Sequence, residues 1–314
     1  MDLDIAILVP CYNEEHAIAK VVCDFKKFVP GCNVFVYDNA STDCTADVAL
    51  AAGAIVRREP LPGKGNVVRR MFADIEADVY VLVDGDDTYD AESAPSLIEK
   101  LMSESLDLVT GARTEVSHKA YRRGHRFGNW LLTSLVSSLF GNRFSDMLSG
   151  YRVMSRRFVK SFPALSAGFE IETELTVHAL QVRVPIAELP TPYRDRPPGS
   201  HSKLNTVGDG ARILSTIVRL VKEERPLYFF FMLGALFLLG SLAAGYPVIA
   251  EFLRTGLVPR LPTAVLAMGL AVIAFLSVVC GLILDTVTKG RLEAKRMHYL
   301  RIPIRLRTDA HSGV

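Results

Sequence analysis

The chain has 314 residues, enough for one domain of about 200 residues and additional elements. Its net charge of +2 gives no general case for nucleic-acid binding, so any basic partner surface must be local. Five cysteines without CxxC or zinc-ligand spacing favour a reducing compartment over a disulfide framework.

Residues 1–112 alternate short β-branched runs with amphipathic stretches. Runs of strand length lie at 5–10, 34–38, 54–58, 79–84 and 107–112, and apolar residues at helical spacing fill the segments between them. Acidic rather than basic residues precede the first run, which predicts a strand and not a signal peptide. The alternation predicts an α/β domain with a mostly parallel central sheet covered by helices.

Polar residues follow several of the predicted strands. Asn13, Asp38 and the acidic residues Asp84, Asp86 and Asp87 all fall at carboxyl ends of strands, where open parallel sheets bind ligands. Asp84 and Asp86 suit a divalent metal, Mg²⁺ or Mn²⁺, whose other ligands are water and a diphosphate. Solvated loop acids are the alternative, but the position after a buried strand favours the metal. Asp87 is expected to be a turn or capping residue.

Residues 113–225 are less regular. Segments at about 124–141 and 205–224 are predicted amphipathic helices that lie in a membrane interface, with packing into the core as the alternative. Glu170 and Glu174 are predicted to share one helical face, from which Glu172 would point away. That face is either solvated or orients the sugar or the acceptor.

Two uncharged runs follow, at 227–250 and 263–284, and each has the length of a transmembrane helix. Seven Lys and Arg residues lie beyond the second run, against two in the connector 251–262, which predicts that both chain ends are cytosolic. The predicted organisation is a cytosolic domain at 1–225, a two-helix transmembrane anchor at 226–285 and a basic cytosolic tail at 286–314. In a bacterium the membrane would be the inner or plasma membrane.

The motifs together resemble family 2 glycosyltransferases. The resemblance is carried by LVPCYNEE (8–15), YDNASTDCTADVA (37–49), PGKGNVVRR (62–70) and LVDGDDTYD (82–90). With TGAR (110–113), DMLSGYRVMSRR (146–157), GFEIETEL (168–175) and YRDRPPGSHSKL (193–204), the pattern resembles polyprenyl-phosphate sugar transferases of the dolichyl-phosphate mannose synthase and bactoprenol glucosyltransferase type.

This resemblance implies a GT-A fold and an inverting, metal-dependent transfer. The sugar would pass from a UDP- or GDP-linked hexose to a polyprenyl phosphate, such as undecaprenyl phosphate, at the cytosolic membrane face. Several similar enzymes form homo-oligomers. A phosphate monoester is mostly dianionic at neutral pH, so this acceptor needs no general base. Catalysis then reduces to alignment and charge neutralisation.

The resemblance also implies roles for individual residues. Donor nucleotide binding is expected from Pro10, Tyr12, Asn13, Glu14, Asp38, Lys64 and Asp84, and metal binding from Asp84 and Asp86. Acceptor phosphate binding is expected from Arg113, Arg126, Arg196, Ser202 and Lys203, and catalysis from Asp86, Asp146, Arg113, Arg126 and Arg196. Whether Lys64 contacts the ligand stays open at this point. Ser41 and Asp43 are expected to cap a helix.

Other functions fit the sequence less well. Transfer to a glycerolipid or ceramide hydroxyl would need a base, for which Asp146 and Glu170 are the candidates. A non-catalytic nucleotide-sugar-binding membrane subunit is disfavoured by the intact acidic pair. A processive polysaccharide synthase would have more membrane helices and a QxxRW motif. The first strand is not followed by GxGxxG, which excludes a dinucleotide-dependent oxidoreductase.

Overall fold

The computed structural model describes residues 3–115, 146–168, 170–196 and 222–303. The chain divides into two compact units. The first comprises Met1–Gly210 with Lys295–Val314, and the second comprises Ala211–Ala294.

The first unit alternates strands and helices as the sequence predicts. Its strands are β1 (Ile5–Cys11), β2 (Asn33–Asp38), β3 (Ile55–Arg58), β4 (Val79–Leu82), β5 (Leu108–Glu115), β6 (Arg152–Ser155) and β7 (Ile186–Tyr193). Its helices are α1 (Ile18–Phe28), α2 (Thr45–Ala51), α3 (Lys64–Asp74), α4 (Ala94–Ser103, after a 3₁₀ turn at Ala91–Ser93), α5 (Arg156–Ser161) and α6 (Ile171–Val182). All five predicted strands are present, with ends that differ by at most three residues.

The seven strands form one sheet in the order β3-β2-β1-β4-β6-β5-β7. Pairing is parallel throughout except at β6, which runs antiparallel to both β4 and β5. The prediction of a mostly parallel α/β sheet is confirmed. The antiparallel insertion sets Arg152 of β6 beside Leu82 of β4, next to the point where the chain continues to the acidic pair.

The centre of the sheet forms the core. Ile7, Leu8 and Val9 of β1 are all fully buried, since helices cover both faces of this central strand. That burial explains why the strand is a continuous apolar run and does not alternate. Each such side chain stabilises the fold by about 1.5–3 kcal/mol. Phe25 of α1 packs edge-on against Tyr151, with ring centroids 6.2 Å apart, which ties the helical layer to the turn before β6.

The second unit is helical. It contains α7 (Pro226–Thr255) and most of α8 (Leu261–Arg301), and both helices are long and apolar enough to cross a membrane by length and composition. The two predicted apolar runs lie within them. The helices touch closely, because the Ser241 hydroxyl donates to the Ala267 carbonyl at 2.7 Å.

The final turns of α8 belong to the first unit. We call residues 295–301 the C-terminal segment. Within it, the Tyr299 hydroxyl donates to the buried carboxylate of Asp107, and the Arg157 guanidinium lies 4.3 Å above the Tyr299 ring. Lys295 donates to the Gln181 side chain at 2.7 Å. The predicted tail therefore begins as helix, and the C-terminal segment within it packs on the α/β unit.

Candidate active site

Asn13 and the loop after β2 bond to each other at the carboxyl edge of the sheet. Asn13 has a positive φ of 53°, and its side-chain oxygen accepts the Thr42 amide at 2.8 Å. The Asn13 amide donates to the Ser41 hydroxyl at 2.9 Å, so Ser41 connects two loops. The prediction that Ser41 caps a helix was wrong. Asp43 accepts the amide of Thr45, the first residue of α2, at 3.0 Å, which confirms its expected place at the helix start.

Asp38 and Tyr12 lie at the ends of neighbouring strands, since Cys11 pairs with Asp38. The Asp38 side chain is buried, accepts the Ser41 amide at 3.3 Å and lies 3.5 Å from the Arg58 guanidinium. Tyr12 is 44% exposed. The two residues offer a carboxylate and an aromatic face side by side. Pro10 in β1 is partly buried, and Glu14 just after the strand is buried.

The acidic pair comes directly after β4. Asp86 is only 4% exposed, and its carboxylate accepts the Thr88 hydroxyl at 2.6 Å and lies 2.7 Å from Arg196. Burial, followed by the nearby charge of Asp84, raises the pKa of Asp86. Asp84 forms an ion pair with Lys64. The two carboxylates therefore lie close enough to influence each other, and each faces a basic side chain.

Lys64, the first residue of α3, lies between two acids. Its side chain is 9% exposed and pairs with Asp84 on one side and with Glu172 on the other, the latter at 2.5 Å. Burial lowers the pKa of Lys64, but the two carboxylates outweigh burial and raise it above its ordinary value. Lys64 is therefore a cation held inside the site.

Glu172 is the main residue that the sequence reasoning missed. We predicted that Glu172 points away from the face of Glu170 and Glu174, and we looked for a functional acid only on that face. Glu172 is 5% exposed in the first turn of α6 and pairs with Lys64, while Glu174 accepts the amides of Leu165 and Ser166 at 2.9 and 2.8 Å. Because α6 is buried on almost every side, the direction away from that face leads into the protein and not to solvent. The sequence signal that could have indicated the burial of Glu172 was the set of apolar residues that surround the acids in GFEIETEL.

Arg113 and Asp146 form a bidentate pair near the end of β5. The Arg113 Nε and Nη2 atoms donate to the two Asp146 carboxylate oxygens, both at 2.7 Å. Burial raises the pKa of Asp146, but the hydrogen bonds and charge of Arg113 outweigh burial and hold it below its usual range. Arg113 also lies 5.5 Å from the Tyr193 ring centroid, so its guanidinium is fixed on two sides.

Gly150 approaches Asp84 more closely than any other residue type would allow. A Cβ on Gly150 would lie 2.7 Å from Oδ2 of Asp84. The Gly150 amide donates to the hydroxyl of buried Tyr89 at 2.7 Å, which fixes the backbone in that position. Arg152 is fully buried and donates to the carbonyls of Ser149 and Met147 at 3.1 and 2.8 Å. Hydrogen bonds to the buried side chains of Tyr89 and Arg152 thus fix the backbone of the turn 147–150.

Some predicted site residues and segments cannot be placed. Arg126, Ser202 and Lys203 lie outside the described residues, as do the predicted amphipathic helices at 124–141 and 205–224 apart from 222–224.

The acidic pair fits a divalent metal. Carboxylate oxygens are the ligands that Mg²⁺ and Mn²⁺ prefer. Asp84 and Asp86 lie close together, and each carboxylate forms an ion pair with a basic side chain, that of Lys64 or Arg196. Among the described residues, no group of three or more His, Cys, Asp or Glu side chains is placed to hold a metal, so its further ligands would come from water and substrate.

Comparison with known proteins identifies the family of this chain. Residues 6–162 match the family described as glycosyl transferase family 2. The chain is 36% identical over 232 residues to glycosyltransferase AglJ of Haloferax volcanii, covering 73% of this chain and 76% of that protein. It is 31% identical over 222 residues to the dolichyl-phosphate hexose transferase of the same organism, covering 71% and 96%.

The fold is also similar to a solved enzyme. Glucosyl-3-phosphoglycerate synthase from Mycobacterium tuberculosis, in complex with Mn²⁺, UDP-glucose and phosphoglyceric acid, superposes with a TM-score of 0.58 at 25% identity, covering 70% of this chain and 79% of that one. The α/β domain is thus a GT-A-type domain, and the chain is a glycosyltransferase. It belongs to glycosyl transferase family 2, and its named relatives confirm the resemblance to polyprenyl-phosphate sugar transferases.

Proposed function

We propose that this enzyme transfers a hexose from a nucleoside-diphosphate sugar, preferably UDP-linked, to a polyprenyl phosphate at the cytosolic face of a membrane. The observation that carries the proposal is the acidic pair, Asp84 and Asp86, in which each carboxylate has a basic partner, Lys64 or Arg196. A further guanidinium, that of Arg113, is held by Asp146 at the end of the neighbouring part of the sheet. Such a site brings two anionic groups together, which is what transfer from a diphosphate to a phosphate requires.

The donor would bind along the ends of β1 and β2. The exposed Tyr12 ring offers a stacking surface for the base, and the buried Asp38 carboxylate accepts hydrogen bonds from base or ribose. Asn13, Glu14 and Pro10 shape the same loop. Asp84 and Asp86 would hold a divalent metal, which supplies positive charge to the departing diphosphate. Lys64 would add a further charge from α3.

The acceptor phosphate would be held by Arg113 and Arg196, with Arg126, Ser202 and Lys203 as further proposed contacts. Guanidinium groups bind phosphate through paired hydrogen bonds, and the Asp146 carboxylate presets the Arg113 plane. A phosphate oxygen of the lipid attacks the anomeric carbon as the bond from that carbon to the diphosphate oxygen breaks. One displacement inverts the configuration and moves no proton.

A lipid hydroxyl is the second acceptor to consider. It would need a general base, and Asp146 is poorly suited to that role because Arg113 occupies both its oxygens and lowers its pKa. This contact argues against Asp146 as the base and leaves Glu170 as the candidate base for a diacylglycerol or ceramide acceptor.

The membrane-related part of the proposal rests on α7 and α8. Both are long and apolar enough to span a bilayer, and the dolichyl-phosphate hexose transferase of Haloferax volcanii is named for a lipid-phosphate substrate. We propose that these helices anchor the enzyme with both chain ends in the cytosol. They would keep the acceptor within reach, because a polyprenyl chain stays in the bilayer.

The test is a product assay with the detergent-purified full chain. The protein is incubated with Mn²⁺, a panel of UDP- and GDP-hexoses and either polyprenyl phosphate, the matching polyprenol or diacylglycerol, and the lipid product is identified by mass. We expect product from polyprenyl phosphate only. Asp86→Ala should lose at least about 100-fold in turnover while keeping its thermal unfolding temperature near wild type. Product from polyprenol or diacylglycerol, or full turnover by Asp86→Ala, would refute the proposal.

A further inference from the structure

Both members of the acidic pair already have a basic partner inside the protein. Lys64 occupies one side of Asp84, and Arg196 lies 2.7 Å from Asp86. A divalent cation that binds these carboxylates must therefore compete with two cations that the chain itself supplies. We infer that Lys64 and Arg196 are resident counter-ions of the acidic pair, which make tight metal binding depend on the diphosphate of the nucleotide. This inference rests on the proposed function.

The charge balance gives the physical reason. A divalent metal at Asp84 and Asp86 would add two positive charges to a cluster in which these carboxylates already pair with Lys64 and Arg196, and it would compete with both side chains. Each displaced cation would lose one carboxylate partner, and the loss of a partner by a buried or partly buried charge is costly. The diphosphate of a nucleotide sugar brings two negative charges, which cancel those of the metal and offer oxygens to the displaced side chains. Only the two ligands together return the cluster to its original charge.

Glu172 determines how readily Lys64 is released. It is 5% exposed and holds the Lys64 ammonium at 2.5 Å on the side opposite Asp84. When a metal takes Asp84, Lys64 keeps one carboxylate and does not become a bare buried charge. Glu172 is therefore a positioning residue that lowers the cost of the exchange.

The test measures metal binding and not turnover. Free Mn²⁺ is followed by electron paramagnetic resonance with the detergent-solubilised full chain, with and without UDP, and the Mn²⁺ that UDP alone takes up is subtracted with a matched protein-free sample. We expect Mn²⁺ to bind about 10-fold or more tightly when UDP is present, a typical size for coupling between two ligands. Lys64→Gln should bind Mn²⁺ alone about 10-fold more tightly than wild type, with most of the dependence on UDP lost.

Glu172→Gln gives a prediction of opposite sign. Lys64 then has Asp84 as its remaining carboxylate partner, so Mn²⁺ alone should bind several-fold more weakly than to wild type. Damage to the site would weaken binding in both variants, whereas counter-ion exchange moves them in opposite directions. Arg196→Gln, at a side chain that is 31% exposed, repeats the test if Lys64→Gln does not fold, and should also strengthen binding of Mn²⁺ alone.

Lys20→Gln is the matched control. It removes a lysine that pairs with Asp87, next to the acidic pair, at 2.7 Å and should leave both affinities within about twofold of wild type. Unchanged or weaker Mn²⁺ binding in folded Lys64→Gln and Arg196→Gln would overturn the inference while the metal assignment stands. No Mn²⁺ binding by wild type, with or without UDP, would overturn the metal assignment as well.

Discussion

Replacement of Gly150 by alanine adds one methyl group against the acidic pair. Its carbon would lie 2.7, 3.2 and 3.1 Å from Oδ2, Oδ1 and Cγ of Asp84. Carbon and oxygen atoms normally approach to about 3.3–3.6 Å, so the carboxylate must move by roughly 0.6–0.9 Å. Gly150 does not have a positive φ, so alanine is compatible with the backbone itself.

The expected result is a loss of rate with little loss of stability. A misplacement of about 1 Å at a reacting group costs about 100-fold, so we expect turnover to fall by roughly 10- to 100-fold. Turnover is measured as lipid-linked product, and folding as the thermal unfolding temperature of the same sample. Gly290→Ala is the matched control. Nothing lies within 4 Å of its new Cβ on α8, so helix stability should rise by about 0.5–1 kcal/mol with unchanged turnover.

Two results would refute this reasoning. Wild-type turnover by Gly150→Ala would mean that the position of Asp84 is not critical to the reaction. A fall in turnover that only matched a fall in the folded fraction would mean that the residue is structural.

Three further predictions concern contacts around the site. Arg113→Lys cannot reproduce the two 2.7 Å bonds to Asp146, so kcat/KM for the lipid phosphate should fall by about 10- to 100-fold in steady-state assays. Tyr299→Phe removes the hydroxyl that binds buried Asp107, which should cost about 1.5–3 kcal/mol in denaturant unfolding. Burial lowers the pKa of His178 to about 3. Below about pH 6.5, His178 of the unfolded chain therefore binds a proton, whereas His178 of the folded chain stays neutral. Stability should therefore fall as the pH drops below about 6.5, by about 2 kcal/mol at pH 5, and His178→Gln should remove that loss.

Each of these has its own counter-observation. Arg156→Lys, at an ion pair with Glu76 on the surface, is the control for Arg113→Lys, and equal losses in both would contradict a role in the site. Tyr299→Phe with wild-type stability would mean that the C-terminal segment contributes nothing through this bond. The same pH dependence in wild type and in His178→Gln would show that other groups cause the acid loss.

Much of the fold was predictable because it depends on local signals. The apolar runs of β1 and β4 are continuous because both faces of these strands are buried, and that pattern is visible in the sequence. The antiparallel β6 was not predicted. It is four residues long, and its place between β4 and β5 depends on pairing partners far away in the chain.

The candidate site was predictable where a residue follows a strand. Asp84 and Asp86 could be named from the end of β4 alone, and their placement beside basic side chains follows from the fold. Glu172 could not be found in this way, since its orientation depends on how deeply α6 is buried. The close approach of Gly150 to Asp84 depends on tertiary packing, and a sequence motif does not give the distance between them.

The C-terminal segment makes the α/β unit discontinuous in the sequence. Lys295 and Tyr299 bond to Gln181 and Asp107, yet they lie at the end of α8 and are synthesised after both apolar runs. Because a chain is synthesised from its N-terminus, the unit gains these last contacts only once both apolar runs have been synthesised. An expression fragment that stops before Pro226 would leave the Asp107 carboxylate without its phenol partner, and such a fragment should contain an added segment that replaces it.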